Sequence, residues 1–576
     1  MNKLLTSPVL ALGLALAVSA CQPMQDDVSQ EGRQESGQAA ALRQAEHVSS
    51  MADESYSQPR LSASVSPQSK MAMGYAQTRN MAPQIAPVPS SNRYETRFEE
   101  GYLDPQLSPL STFALDVDTA SYSNLRRYIN AGRLPPTDAV RIEELLNYFD
   151  YQTTVSDDGQ PVSIYSELGV APWDKSKQLA LVQLSAKELS ANENRPNRLV
   201  FLIDTSGSMQ GPDRLPLLKK AFQGLVENLG KNDRVAIVTY AGSAGVALPS
   251  VNGGEKDKIY QALQSLRPAG STAGAAGIEQ AYQIARSQFD DDANNRVILA
   301  TDGDFNVGQR SSTDLVKLIE TQRDMGIFLT ILGFGQGNLG DGPMNRMAQH
   351  GDGNYYYIDS ELEARRVLVD KLQRSLVTVA KDVKLQVEFN PAQVAKYRLL
   401  GYETRRMAAE DFKDDKKDAG ELGAGQVVTA IYEIEPRYAT DKNDIELRYQ
   451  QRQGKTSNRD ELMLIKLRYR SPAGGPAKEI AQALNTHQSK ASSRNFQWAA
   501  AVAEFGLLMS DSDYRGNASF TSLVSRTESL AQQGNNIERE FVSLARLASL
   551  IKNKTKIEQN QDASMKHDLS MNGAYR

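Results

Sequence analysis

The chain has 576 residues, 40% of them hydrophobic, and a formal net charge of −5, which gives room for about three or four domains with ordinary cores. So small a charge imbalance over that length points away from nucleic acid and from strongly charged partners. A single cysteine excludes an internal disulfide framework and a cysteine-based zinc site, and four scattered histidines (His47, His350, His487, His567) argue against a histidine-rich metal site or a histidine-driven hydrolase.

At the start, Lys3 supplies one positive charge, and Pro8 to Val18 is an apolar stretch of Ala and Leu too short to span a bilayer as an ordinary helix. It ends in Val18-Ser19-Ala20-Cys21. This resembles the bacterial lipoprotein box, a small-residue cleavage site followed by Cys, with Val18 where that pattern favours Leu. The resemblance implies that residues 1–20 are a signal peptide, that Cys21 is lipidated, and that the membrane holds the protein through this anchor. Each buried methylene is worth ~0.8 kcal/mol, so two or more acyl chains anchor stably. Gln22 follows the cysteine where Asp would imply retention at the inner membrane, so the expected location is the outer membrane of a Gram-negative envelope. Residues 21–97 are Gln, Ser, Ala, Met and Pro with no sustained apolar period, the composition of a disordered tether. A coil of that length spans roughly 45–50 Å r.m.s..

Residues 98–190 read as a small α+β domain. Thr112 to Asp118 predicts a short strand, 121–131 and 138–149 helices, and 162–170 and 179–184 further strands. Asp116-Val-Asp118 invites comparison with the phosphotransferase pattern D-x-D-x-T, but Ala120 stands where the Thr is needed. Asp118 and Thr119 are then expected to cap the helix that follows. Trp173 is expected to be packed rather than ligand-binding.

From 197 to 380 the pattern alternates. Leu199 to Ile203 is a run of five apolar residues, as a strand buried on both faces requires, and it stops at Asp204-Thr-Ser-Gly-Ser208. In open α/β sheets, ligands sit beyond the carboxyl ends of the strands. Asp204, Ser206 and Ser208 put three hard oxygen donors at i, i+2 and i+4, which suits a hard cation such as Mg²⁺. Helix 214–229, strand 234–240, an edge strand at 245–249 and helix 257–266 follow. Ala269 to Gly274 is a small-residue loop carrying Thr272 ahead of helix 275–289, and a strand from Asn295 ends in Thr301-Asp302-Gly303. Helix 313–325, strand 327–334, a short helix 344–349, strand 355–358 and a closing helix 361–379 complete parallel β-α-β units.

D-x-S-x-S after the first strand, a Thr loop and a strand-end T-D-G resemble the von Willebrand factor A domain and its metal-ion-dependent adhesion site. The resemblance implies that Ser206, Ser208 and Thr272 touch the metal, with Asp204 and Asp302 acting directly or through water. The metal would be Mg²⁺ first, with Mn²⁺ or Ca²⁺ as alternatives. The plainer account is that Asp204 and Ser206 only cap the next helix. Asp116 to Tyr122, Leu134-Pro-Pro136 and Arg141 to Phe149 are similar to the N-terminal domain of a bacterial A-domain lipoprotein family, and Phe389 to Tyr402 to its C-terminal domain.

Three patterns in the A domain are set aside. Gly335-Gln-Gly-Asn-Leu-Gly340 matches G-x-G-x-x-G, but it follows a late strand and Asp341 would repel a pyrophosphate, so no nucleotide is expected. Thr272 as a nucleophile lacks a base, because His350 has no evident carboxylate to orient it. Asp304 and Asn306 read as exposed turn residues.

After 380, alternating apolar and polar residues at 383–389, 426–434, 445–449 and 462–469 predict half-buried antiparallel strands. Helices are expected at 496–509 and 537–553, with a polar tail over 560–576. His487 and Trp498 read as structural. The expected architecture is therefore α/β: a central Rossmann-like domain with a mostly parallel sheet and helices on both faces, 197–380. A small α+β domain, 98–190, and a mainly β domain with terminal helices, 381–559, flank it. The expected function is capture of a protein partner that offers an Asp or Glu carboxylate to the metal, without catalysis. The alternative is an assembly lipoprotein in which the A domain is a scaffold and the flanks bind.

Overall fold

The computed structural model describes residues 94–573 apart from 116–117, 153–159, 189–194, 271–273, 304–311, 337–338, 372–376, 416, 418, 439–459, 473 and 487–491. The signal segment, Cys21, most of the tether, Asp116, Thr272, Asp304, Asn306 and His487 lie outside the described residues.

The chain enters through β1 (Leu110–Ala114), α1 (Ala120–Asn130), α2 (Ile142–Leu146), β2 (Val162–Ala171) and β3 (Asp174–Ala186). The A domain follows as β4 (Asn197–Asp204), α3 (Leu215–Glu227), β5 (Arg234–Tyr240), β6 (Ala244–Asn252), α4 (Lys256–Ser265), α5 (Gly274–Ser287), β7 (Asn294–Thr301), α6 (Ser312–Asp324), β8 (Phe328–Phe334), α7 (Asp341–His350), β9 (Tyr355–Ile358) and α8 (Glu361–Arg365). Its sheet is ordered β6-β5-β4-β7-β8-β9, parallel except for the β5–β6 pair. The period of two along β4 explains why every residue of the apolar run is buried. Leu199, Phe201 and Ile203 pack with Leu218 and Phe222 of α3 and Ile259 of α4. Val200 and Leu202 pack on the other side with Ile278 and Tyr282 of α5, Ile319 of α6 and Met344 of α7. The chain leaves β4 for β5 on one side and returns as β7 on the other, so the strand order reverses at the carboxyl end of β4.

The closing helix is shorter than the sequence predicts. After α8, one π-helical stretch runs over Arg366–Lys371, and by Thr378 the chain is already in a strand of the next unit.

That unit contains β10 (Thr378–Phe389), β11 (Val394–Leu399), β12 (Arg406–Met407), β13 (Gly420–Gly423), β14 (Val427–Pro436), β15 (Glu461–Arg470) and β16 (Lys478–Asn485), then α9 (Arg494–Met509), α10 (Phe520–Gln532) and α11 (Asn536–Gly573). The two flanks expected as separate domains share their sheets. β1 pairs with β10, Leu110 facing Glu388, and β3 pairs with β14, Leu181 facing Ile431. One sheet is ordered β12-β1-β10-β15-β16, with β13 on β10, and the other β11-β14-β3-β2. Phe113, Val182, Leu385, Tyr432 and Leu467 belong to the core between them. Helix α10 escapes the sequence reading, and α11 continues through the segment read as a polar tail. Phe149, Trp498, Phe505 and Phe541 form an edge-to-face aromatic cluster that packs α9 and α11 against the end of α2.

Buried charges fasten the flank to the A domain. Arg141 meets Asp341 at the start of α7, Nη1 to Oδ2 2.5 Å, and also pairs with Glu144. Arg126 of α1 reaches Asp359 (2.8 Å) and Glu363 of α8 (2.9 Å). Asp118 does not cap α1: its Oδ1 accepts the backbone N–H of Tyr355 (2.7 Å) and its Oδ2 a bond from Arg405 (3.2 Å). Thr119 occupies the N-cap position of α1 without making a side-chain cap hydrogen bond. Trp173 is packed, donating to Glu433 (2.6 Å).

Candidate metal site

The strand order reverses at β4, the place where open α/β sheets take ligands, and register fixes which residues meet there. Asp204 lies beside Tyr240 at the end of β5. Ile203 pairs with Ala300 of β7, so the next residues, Asp204 and Thr301, are also neighbours. The Asp204 carboxylate is fully buried, and each oxygen is held. Oδ1 accepts the Ser206 N–H (2.8 Å), while Oδ2 accepts the Tyr240 hydroxyl (3.2 Å) and the Thr301 hydroxyl (3.1 Å). Burial pushes the Asp204 carboxyl above its ordinary range, against the lowering effect of these donors. Burial also raises the Tyr240 phenol, which therefore stays protonated and donating.

The loop beyond Asp204 curls over the strand ends. Ser206 Oγ and Ser208 Oγ are 2.9 Å apart. Thr205 N–H bonds to Tyr240 O (2.9 Å), Ala269 N–H to Thr205 O (2.7 Å) and Gly207 N–H to Gly270 O (3.1 Å). These bonds stitch the D-x-S-x-S loop to the base of the loop that carries Thr272. Neither Ser206, at the N-cap of a short 3₁₀ turn (Gly207–Gln210), nor Arg214, at the N-cap of α3, makes a side-chain cap bond. The capping account of Asp204 and Ser206 therefore fails here.

Asp302 closes the set from the end of β7. It is 1% exposed, yet neither carboxylate oxygen has a hydrogen-bond partner among the described residues. The cation beside it is Arg214, Nε 3.6 Å from Oδ2. The guanidinium is anchored elsewhere, Nη1 to Ser208 O and Nη2 to Gln336 O, each at 2.5 Å. Buried carboxylate oxygens without donors are costly, and a bound cation would remove that cost. Among the described residues no group of three or more His, Cys, Asp or Glu side chains is placed to hold a metal. The donors here are instead mixed hydroxyl and carboxylate oxygens, a hard set that fits Mg²⁺.

Of the five residues singled out by sequence, four are described, and they lie along the carboxyl edge of the sheet, at and just beyond the ends of β4 and β7. Tyr240, Thr301 and Arg214 were missed. Tyr240 and Thr301 stand at strand ends, which is a usable signal; Arg214 shows none. Gly335 and Gly340 of the glycine run have packing roles. Gly335 has φ +75°, and a Cβ there would sit 2.2 Å from Arg214 Nε. A Cβ on Gly340 would sit 2.7 Å from the carbonyl oxygen of Gly303. His350, expected to lack an orienting carboxylate, has Glu320 at 2.9 Å. That pair lies at the far end of α7 from Gly340, roughly 15 Å along the helix.

Family models match three stretches: von Willebrand factor over 88–181, the von Willebrand factor type A domain over 199–391, and the C-terminal domain of uncharacterized protein YfbK over 374–551. The chain is 39% identical over 473 residues to uncharacterized protein YfbK of Escherichia coli (strain K12), covering 80% of this chain and 81% of that protein. It is 24% identical over 216 residues to uncharacterized protein sll0103 of Synechocystis, covering 38% of this chain and 50% of that one. Among solved structures, a von Willebrand factor type A protein from Catenulispora acidiphila aligns at 17% identity over 68% of this chain and 91% of its own, with a TM-score of 0.37.

Proposed function

The chain belongs to the YfbK-like family of von Willebrand factor type A proteins, and from that premise we propose that it is a lipid-anchored outer-membrane protein that captures a protein partner through a divalent cation. Cys21 would carry the lipid. Ser206, Ser208 and Thr272 would touch the metal, with Asp204 and Asp302 acting directly or through water. The observation that supports this reading best is Asp302, whose two buried oxygens have no hydrogen-bond donor among the described residues, at the same carboxyl edge of the sheet as two adjacent serine hydroxyls.

A bound Mg²⁺ would supply a hard electrophile suited to an Asp or Glu carboxylate of the partner. The protein's own part is to hold the ligands still. Tyr240 and Thr301 fix the Asp204 carboxylate, and the backbone bonds from Ala269 and Gly207 fix the two loops against each other. This is an arrangement for binding rather than catalysis: the side chains touching Asp204 are hydroxyls, and neither is a base at neutral pH.

Calorimetric titration of the full chain with Mg²⁺ and Mn²⁺ tests the metal, and crosslinking in intact cells followed by mass spectrometry tests the capture. Asp204→Ala and Thr272→Ala are expected to abolish both while leaving the circular dichroism spectrum unchanged. Equal capture with and without chelator would move the binding role to the flanks.

A further inference from the structure

We propose that Arg214 is a resident counter-cation: its guanidinium balances Asp302 in the metal-free protein and holds the intrinsic metal affinity down, so that firm metal binding waits for an acidic group from the partner. This inference rests on the metal reading above. Four observations combine. Among the described residues, Asp302 is buried without hydrogen-bond donors, and Arg214 Nε stands 3.6 Å from its Oδ2. That Nε, itself buried, makes no hydrogen bond. Its two terminal nitrogens are instead tied to Ser208 O and Gln336 O, which holds the charge next to Asp302 but off its oxygens. Finally, Gly335 leaves room for the guanidinium where any Cβ would strike it. The positive charge is therefore built in beside two of the expected metal ligands, Ser208 and Asp302.

A dication held by those ligands must share the pocket with this fixed charge. In a partly buried site, like charges a few ångströms apart repel strongly. Two of the guanidinium's five N–H groups bond to carbonyls and Nε faces Asp302, while the side chain remains 18% exposed. An incoming carboxylate can then meet both the metal and the guanidinium. It adds the negative charge that offsets their repulsion, so metal and partner raise each other's affinity.

The test is Mn²⁺ binding by the full chain, followed by calorimetry and electron paramagnetic resonance, with acetate as the carboxylate probe. Arg214→Gln and Arg214→Met are expected to bind Mn²⁺ about tenfold tighter than the wild type, and Arg214→Lys close to it. Acetate is expected to tighten Mn²⁺ binding to the wild type and to do so less in the two neutral variants. Equal or weaker Mn²⁺ binding by the neutral variants overturns the inference and leaves the metal reading standing. Should neither neutral variant fold, absence of the acetate effect in the wild type, or tenfold tighter binding by the Lys variant, overturns it instead. No Mn²⁺ binding by any of the proteins overturns the metal reading and this inference together.

Discussion

Tyr240 is a small test of how the site is built. Its hydroxyl gives one of three hydrogen bonds to Asp204, and no water-exposed substitute is at hand for a carboxylate this buried. Tyr240→Phe should cost about 1–2 kcal/mol of stability, measured by urea denaturation in chelator, because an acceptor is left short of a donor. It should also weaken Mn²⁺ binding, since a mobile Asp204 is a poorer ligand. Asp204, Ser206, Ser208 and Asp302 were legible because their chemistry is written locally, at strand ends and in a five-residue spacing. Tyr240 and Thr301 carry the same strand-end signal, but that they hold Asp204 follows only from parallel register across three strands. Arg214 carries no local signal, and the glycine that makes room for it is more than a hundred residues away.

Among the elements, α1, α2 and α7 meet through buried charge rather than through apolar surface alone. Burial pushes Asp118 well above the ordinary carboxylate range and raises Glu144, with neighbouring carboxylates adding to the effect and Arg141 opposing it. A carboxylate whose folded pKa exceeds its unfolded value destabilises the fold while ionised, and that cost is relieved as pH falls through the folded pKa. Glu363 has the opposite sign: Arg126 and Arg366 lower it against the cost of burial, so its contribution is lost only as pH falls through that lowered value. The melting temperature should therefore rise on mild acidification down to roughly pH 4–5 and fall below it. Asp118→Asn should flatten the rise. The helical layer behaves differently, being held by rings. Phe541 is fully buried against Phe149, Trp498 and Phe505, and Phe541→Ala should cost about 3–5 kcal/mol by denaturant titration. The sequence revealed α9 and the first part of α11, 537–553, through long apolar periods. Helix α10 was lost because its buried face is thin, Phe520, Leu523, Thr527 and Ala531.

At the level of the whole molecule, the A domain is an insertion in a sandwich made by the chain on either side of it. Its two core layers close almost entirely on their own residues, Ala120 being the outside member. Residues 195–371 expressed alone should fold, melt cooperatively and keep Mn²⁺ binding, as calorimetry would show. A chain lacking 94–190 should instead aggregate, because β10 and β14 would each present an unpaired edge. The alternation that marks a half-buried strand tells which face is inside but not which strand lies alongside, so the shared sheets could not be read from 98–190 or 381–559 separately. Their pairing has a consequence for how the molecule is made. Synthesis delivers the chain from its amino end, and Leu110 must wait for Glu388 before its strand has a neighbour. In the interval the inserted domain can close on itself and draw the waiting and arriving segments together. The period of greatest exposure to misassembly is then the one between completion of the insertion and arrival of β14, and a holdase acting in that interval would raise the yield more than one acting earlier.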